Sequence, residues 1–174
     1  MSESGGERRV VQGAQFEFVT EPVDLPNGKR IALDVLRHPG ASAVVPFLDD
    51  GRVVLVEQHR HAVGARLLEI PAGKLDPGES PEACAERELR EETGYRAGRL
   101  ERLGSIWTSP GFTDEVIHLF AAWDLEPGDQ DLDGDEVIEL VTLPFEEVLD
   151  GLATGIVDGK SAAALLLAAR RPAD

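Results

Sequence analysis

Three glutamates, Glu88, Glu91 and Glu92, fall at positions i, i+3 and i+4 of a stretch reading GKLDPGESPEACAERELREETGY from Gly73 to Tyr95. At that spacing in a helix their carboxylates share one face. Like charges so placed repel, at a cost of a few tenths of a kcal/mol per pair in an isolated helix. Two situations tolerate them: full exposure to water, or a hard divalent cation with oxygen ligands such as Mg²⁺ or Mn²⁺. Glu79 precedes the helix and can join the same cluster, and Arg87, four residues before Glu91, can hold a carboxylate in place. A cation held by such a cluster would reverse the local charge and let an acidic chain meet an anionic small molecule.

The elements that must position these acids are legible around them. Ser80 is a suitable N-cap, Pro81 a suitable first residue, and Glu82 suits the positive end of the helix dipole. The helix is expected to run to Thr93 and stop at Gly94. Upstream, Phe16–Val19 and Ile31–Leu36 alternate as strands around a Pro26-Asn27-Gly28 turn, whose Asn-Gly pair suits a tight hairpin with positive φ. Residues 1 to about 13 read as a loose terminus, and His38-Pro39-Gly40 breaks the pattern. The division expected is therefore 1–40, a terminus and small antiparallel β subdomain, and 41–174, the catalytic domain. Strands follow at Ala43–Leu48, Val53–Glu57 and Leu67–Ile70, with a loop over 71–80. After the helix come strands near Leu100–Ile106, Val116–Trp123 and Val137–Leu143, then helices near 144–152 and 159–170. Strands first, one helix mid-chain and helices last give an α+β fold, an α/β/α sandwich rather than repeated βαβ units.

Composition restricts the partners. With 17 Lys plus Arg against 33 Asp plus Glu, the 174-residue chain has a net charge of −16. That balance disfavours nucleic acid and anionic membrane surfaces, whose phosphates attract Lys and Arg. An anionic small molecule is compatible only where bound cations reverse the local sign. The single cysteine, Cys84, forms no intramolecular disulfide and fits a reducing compartment. Residues 1–9 lack an apolar signal core, and no run approaches the roughly 18 apolar residues of a membrane span. The expected location is the cytoplasm. The four histidines have no zinc spacing with a cysteine, Cys84 reads as a packed thiol, and Trp107 and Trp123 read as core.

The stretch as a whole matches G-x5-E-x7-R-E-U-x-E-E-x-G-U, with U a bulky apolar residue, at Gly73, Glu79, Arg87, Glu88, Leu89, Glu91, Glu92, Gly94 and Tyr95. Seven fixed letters at roughly 7% each give a chance of about 10⁻⁸ per window. The segment resembles the signature box of the Nudix hydrolases. That resemblance implies hydrolysis of a nucleoside diphosphate linked to another group. It also implies metal ligation by Glu88, Glu91, Glu92, the backbone carbonyl of Ala72 and, through water, Glu79. Arg87 then orients the carboxylates, while Gly73 and Gly94 serve close approach and the helix stop.

Further motifs resemble the branch of ADP-ribose and nucleotide-sugar pyrophosphatases. They are Glu69-Ile70-Pro71-Ala72-Gly73, Gln58-His59-Arg60, Ser109-Pro110-Gly111-Phe112, with Pro110 sixteen residues past Gly94, and Gly159-Lys160-Ser161 before an apolar helix. By this resemblance Arg60 contacts a phosphate or the terminal ribose, and Arg37 contacts the adenine side across a homodimer. Glu69, Pro110, Gly111 and Phe112 line the substrate site, and Glu115 points toward the pyrophosphate. The general base is expected in the acidic loop Asp124–Glu136, with Glu136 first, then Asp135 and Glu139; Glu91 of the box shares the catalytic centre. The activity implied is Mg²⁺-dependent conversion of ADP-ribose to AMP and ribose 5-phosphate, with Mn²⁺ as a substitute ion. GDP-mannose is the alternative substrate, and a non-catalytic ADP-ribose sensor the remote one.

Overall fold

A computed structural model describes residues 8–13, 16–132, 134, 136–152, 155 and 158–171. Two sheets build the body around the acidic helix. One is four-stranded and mixed, in the order β7 (Ala72–Lys74), β4 (Ala41–Pro46), β9 (Val116–Glu126), β8 (Arg96–Trp107). Its β4 and β9 run parallel and its other pairs antiparallel. The other is antiparallel, in the order β10 (Ile138–Pro144), β5 (Arg52–Arg60), β6 (Ala65–Glu69).

Strand β4 is buried over its full length because helices cover both faces. Ala43 and Val45 pack with Ala164 and Leu165 of helix α3 (Gly159–Ala169) and Val148 of α2 (Phe145–Gly151). Val44, between them in sequence, points the other way, onto Ala85 and Leu89 of α1 (Pro81–Thr93). This period-2 division of side chains makes the layered sandwich: helix, sheet, helix. Tucking Leu89 fully away from water contributes ~2 kcal/mol.

A third sheet, β1 (Arg9–Gln12), β2 (Glu17–Asp24) and β3 (Arg30–Arg37), is antiparallel and separate. It touches the body where Leu36 bridges Thr113 and its N–H donates to Phe112 O at 2.7 Å. Three expectations are corrected here. The terminus is not loose to residue 13, because Arg9–Gln12 pairs with Glu17–Thr20. The hairpin is also wider than a two-residue turn. Leu25 to Lys29 form the loop, only Gly28 takes positive φ (+78°), and Asn27 Oδ1 instead accepts from the Lys29 N–H at 3.1 Å. A five-residue loop with glycine at its left-handed position needs no positive φ at Asn27. The expected loop over 71–80 also contains β7, whose pairing with β4 is a long-range contact.

Trp123 lies within the apolar layer, stacked on Phe47 at 5.4 Å and under the Arg99 guanidinium. Trp107 is not core. It stands at the last position of β8, where the sheet runs out, and is 60% exposed. Among the described residues no helix is long and apolar enough to cross a membrane.

Candidate active site

Helix α1 forms as its caps dictate. Ser80 Oγ accepts from the Ala83 N–H at 3.2 Å, Pro81 opens the first turn, and Gly94 closes the helix at φ +78° with its N–H on Arg90 O. Its buried stripe holds Cys84, Ala85, Glu88, Leu89, Glu92 and Thr93. Two of the acids therefore sit on the core-facing side, Glu88 at 7% and Glu92 at 2% exposure. Solvation by bulk water does not account for them.

Arg87 gathers three of the four acids. Its Nε and Nη2 donate to the two oxygens of Glu79, both at 2.9 Å, and its Nη1 donates to Glu88 Oε1 at 2.6 Å and Glu91 Oε2 at 3.1 Å. Nη2 also reaches Lys74 O at 2.9 Å. These bonds hold the Glu79 carboxyl down to about 2 and raise Arg87 above its ordinary value. Arg90 takes the second oxygen of Glu91 at 2.8 Å. The position of Glu88 requires glycine at 73: a Cβ there would lie 1.9 Å from Glu88 Oε1.

Glu92 has less support. Its Oε2 accepts one bond, from the Ala72 N–H at 3.0 Å. Burial pushes this carboxyl up to about 8, with the charges of Glu88 and Glu136 adding and the Ala72 bond and Lys160 opposing. Burial likewise raises Glu88 against the pull of Arg87, with Glu91 and Glu136 adding. Among the described residues no three acids or histidines are already gathered into an ion cage. Instead one arginine holds three acids and a fourth is protonated near neutrality. This donor set fits a divalent cation: hard carboxylate oxygens, half-buried to buried, whose own electrostatics call for positive charge.

A second ionic group stands beside it. Arg60 grips Glu69 with two parallel bonds of 2.8 Å, from Nε and Nη2. Lys160 bonds the same Glu69 oxygen as Arg60 Nη2, and Asp158 at 2.9 Å. Asp158 caps α3 through the Ser161 N–H and hydroxyl, at 3.0 and 2.6 Å, and Ser161 Oγ accepts from the Ile70 N–H at 2.9 Å. Burial pushes both acids up, yet the paired cations outweigh it, so Glu69 and Asp158 lie below their usual range. The roles of Asp158 and Lys160 escaped sequence reasoning. The Gly159-Lys160-Ser161 motif marked the place, but its partner Glu69 is 91 residues away.

The remaining expected residues divide between the cluster and the N-terminal sheet. Glu136 acts electrostatically on Glu88 and Glu92. Glu139 turns to Arg66 at 2.8 Å, and Asp135 lies outside the described residues. Arg37 is held by Asp114 at 2.9 Å and Glu21 at 2.7 Å. Glu115 accepts from Thr108 Oγ1 at 2.6 Å and faces His38 Nε2 at 3.3 Å. Pro110, Gly111 and Phe112 form an exposed turn closed by the Phe112 and Thr113 N–H groups on Ser109 O.

The NUDIX domain model matches residues 36–164. The chain belongs to the Nudix family. It is 39% identical over 160 residues to the ADP-ribose pyrophosphatase of Bacillus subtilis (strain 168), covering 90% of this chain and 86% of that one. It is 42% identical over 143 residues to the methanol dehydrogenase activator of Bacillus methanolicus, covering 81% and 77%. The GDP-mannose pyrophosphatase of Yersinia pestis (strain Pestoides F) is 40% identical over 136 residues, covering 72% and 68%. Among solved structures, an ADP compounds hydrolase superposes with a TM-score of 0.80 over 97% of this chain and 95% of its own, at 24% identity, which establishes the α+β Nudix fold. The chain is a Nudix hydrolase.

Proposed function

We propose that this Nudix hydrolase cleaves ADP-ribose, with water, to AMP and ribose 5-phosphate. The observation that carries the reading is the buried acid pair Glu88 and Glu92 under the field of Glu136, in a chain 39% identical over most of its length to an ADP-ribose pyrophosphatase. Glu88, Glu91, Glu92 and the Ala72 carbonyl would hold the divalent cation, Mg²⁺ by preference and Mn²⁺ as a substitute, with Glu79 behind them through water. When bound, such an ion neutralises pyrophosphate charge and makes water a better nucleophile.

The protein's own groups do the rest. Glu136 takes the proton of the attacking water. Arg87 fixes the carboxylates at one geometry before substrate arrives. Arg60 has its Nε and Nη2 committed to Glu69, which leaves Nη1 for a phosphate or ribose oxygen. Arg37, Pro110, Gly111 and Phe112 form the adenosine side, where the N-terminal sheet meets the 109–115 turn, and Glu115 faces the pyrophosphate. That sheet, residues 1–40 with its terminus, exposes Val10, Val11, Phe18 and Leu33, which supports a homodimer formed through it. The lone buried thiol of Cys84 suits the cytoplasm.

A GDP-mannose pyrophosphatase relative at 40% identity favours a second reading, the same chemistry on another nucleotide sugar. Chromatography of products from ADP-ribose and GDP-mannose, each with Mg²⁺, separates the two. AMP released many times faster than GMP supports the first reading. GMP release with no AMP would replace it with the second.

A further inference from the structure

The loop between β9 and β10, which leads to Glu136, is fastened to the end of the acidic helix. Gly94 and Gly128 meet backbone to backbone. A Cβ on Gly94 would lie 2.4 Å from Gly128 O, and one on Gly128 would lie 2.8 Å from Gly94 O. Two residues on, Gln130 Nε2 donates to Glu92 O at 2.6 Å, and the Asp131 N–H donates to Glu91 O at 2.9 Å. The last carbonyls of a helix have no partner within it. Here Gly94 N–H serves Arg90, and the loop serves the next two.

The identity of those two carbonyls matters. They belong to Glu91 and Glu92, whose carboxylates stand in the proposed cation site. The segment that caps them runs on, five residues after Asp131, to the acid whose charge acts on Glu88 and Glu92. We propose that Gln130 is a positioning residue: its amide ties the loop of Glu136 to the helix of the acids, so that base and ligands share one frame. Gln130 reaches a helix carbonyl and acts only through Glu136. The inference rests on the reading of Glu136 as the base. Misplacing a reacting group by about 1 Å can cost up to about 10²-fold in rate.

The test is a double-mutant cycle on the full chain, with kcat and KM for ADP-ribose, the Mg²⁺ requirement and the thermal midpoint measured for each protein. Gln130→Ala is expected to lower kcat about tenfold with KM and Mg²⁺ requirement unchanged. In a Glu136→Gln background the same change should alter kcat by less than about twofold, because the group it positions is gone. Gln130→Lys, which also donates to the carbonyl and suits the negative helix end, should restore most of the rate. Equal losses in both backgrounds, a loss confined to KM or Mg²⁺ requirement, or a wild-type rate for Gln130→Ala would each overturn the proposal. A wild-type rate for the Glu136→Gln single variant would overturn it differently, by removing the base it serves.

Discussion

Two partly buried ionic groups lie side by side in this molecule, and they are built on opposite charge balances. Arg60, Lys160, Glu69 and Asp158 carry two positive and two negative charges, all within hydrogen-bonding reach of an opposite partner. Both acids are held below their usual range despite burial. In the box, Arg87 holds Glu79, Glu88 and Glu91, Arg90 stands at the edge on Glu91, and Glu92 accepts from the Ala72 N–H instead. The two most buried acids of the box are raised. Burial acts on both groups in the same direction. What differs is the supply of positive charge, and the shortfall lies where a divalent ion and a pyrophosphate would meet. The balanced group ties α3, β5 and β6 together.

The largest expected effect is on turnover. Glu92→Gln should lower Mg²⁺-dependent hydrolysis of ADP-ribose by about 10³-fold or more while the fold survives, checked by steady-state rates and circular dichroism. Unchanged turnover would remove Glu92 from the cation site. Glu136→Gln comes next, with a fall in kcat of about 10²-fold or more and Mg²⁺ affinity nearly unchanged. A rate within about twofold of the parent would pass the role of base to Glu139, Asp135 or Glu115.

Stability should show the reverse ranking. Glu69→Gln removes one charge from a balanced buried group and leaves its cations short of a partner. It should cost about 3 kcal/mol in urea unfolding, whereas Glu92→Gln should stabilise the ion-free protein at neutral pH. If the two variants were equally destabilised, the contrast between the groups would fail.

The remaining effect is a pH dependence. A carboxyl at about 8 in the folded protein and about 4.3 unfolded takes up a proton on folding between those values. The ion-free protein should therefore lose stability as pH rises through that window, by on the order of a few kcal/mol, and level off above about 8. The difference between parent and Glu92→Gln in urea with a chelator present should widen from about pH 5 to about pH 8. A constant difference would place Glu92 at an ordinary carboxylate value.

The box helix was legible in sequence because its signals are local. Ser80, Pro81 and Gly94 fix its ends, and the spacing of Glu88, Glu91 and Glu92 fixes their shared face. Its burial was not legible, since only the packing of Ala85 and Leu89 on Val44 turns Glu88 and Glu92 inward. The same limit hid β1, whose four exposed residues gain their order from pairing with β2, and β7, three residues long and paired with β4. It hid the meeting of Lys160 with Glu69 and of Gln130 with Glu92 O. Trp107 read as core because tryptophan usually is buried, but a strand's last residue has no sheet beyond it to cover the ring.

The central claim is that the surplus negative charge of the box is there to be cancelled by a divalent ion. Thermal unfolding at about pH 8, with and without saturating Mg²⁺, tests it on the parent and on Glu92→Gln together. Mg²⁺ should raise the midpoint of the parent by several degrees and that of the variant far less. Equal shifts in both proteins, or none in the parent, would contradict it.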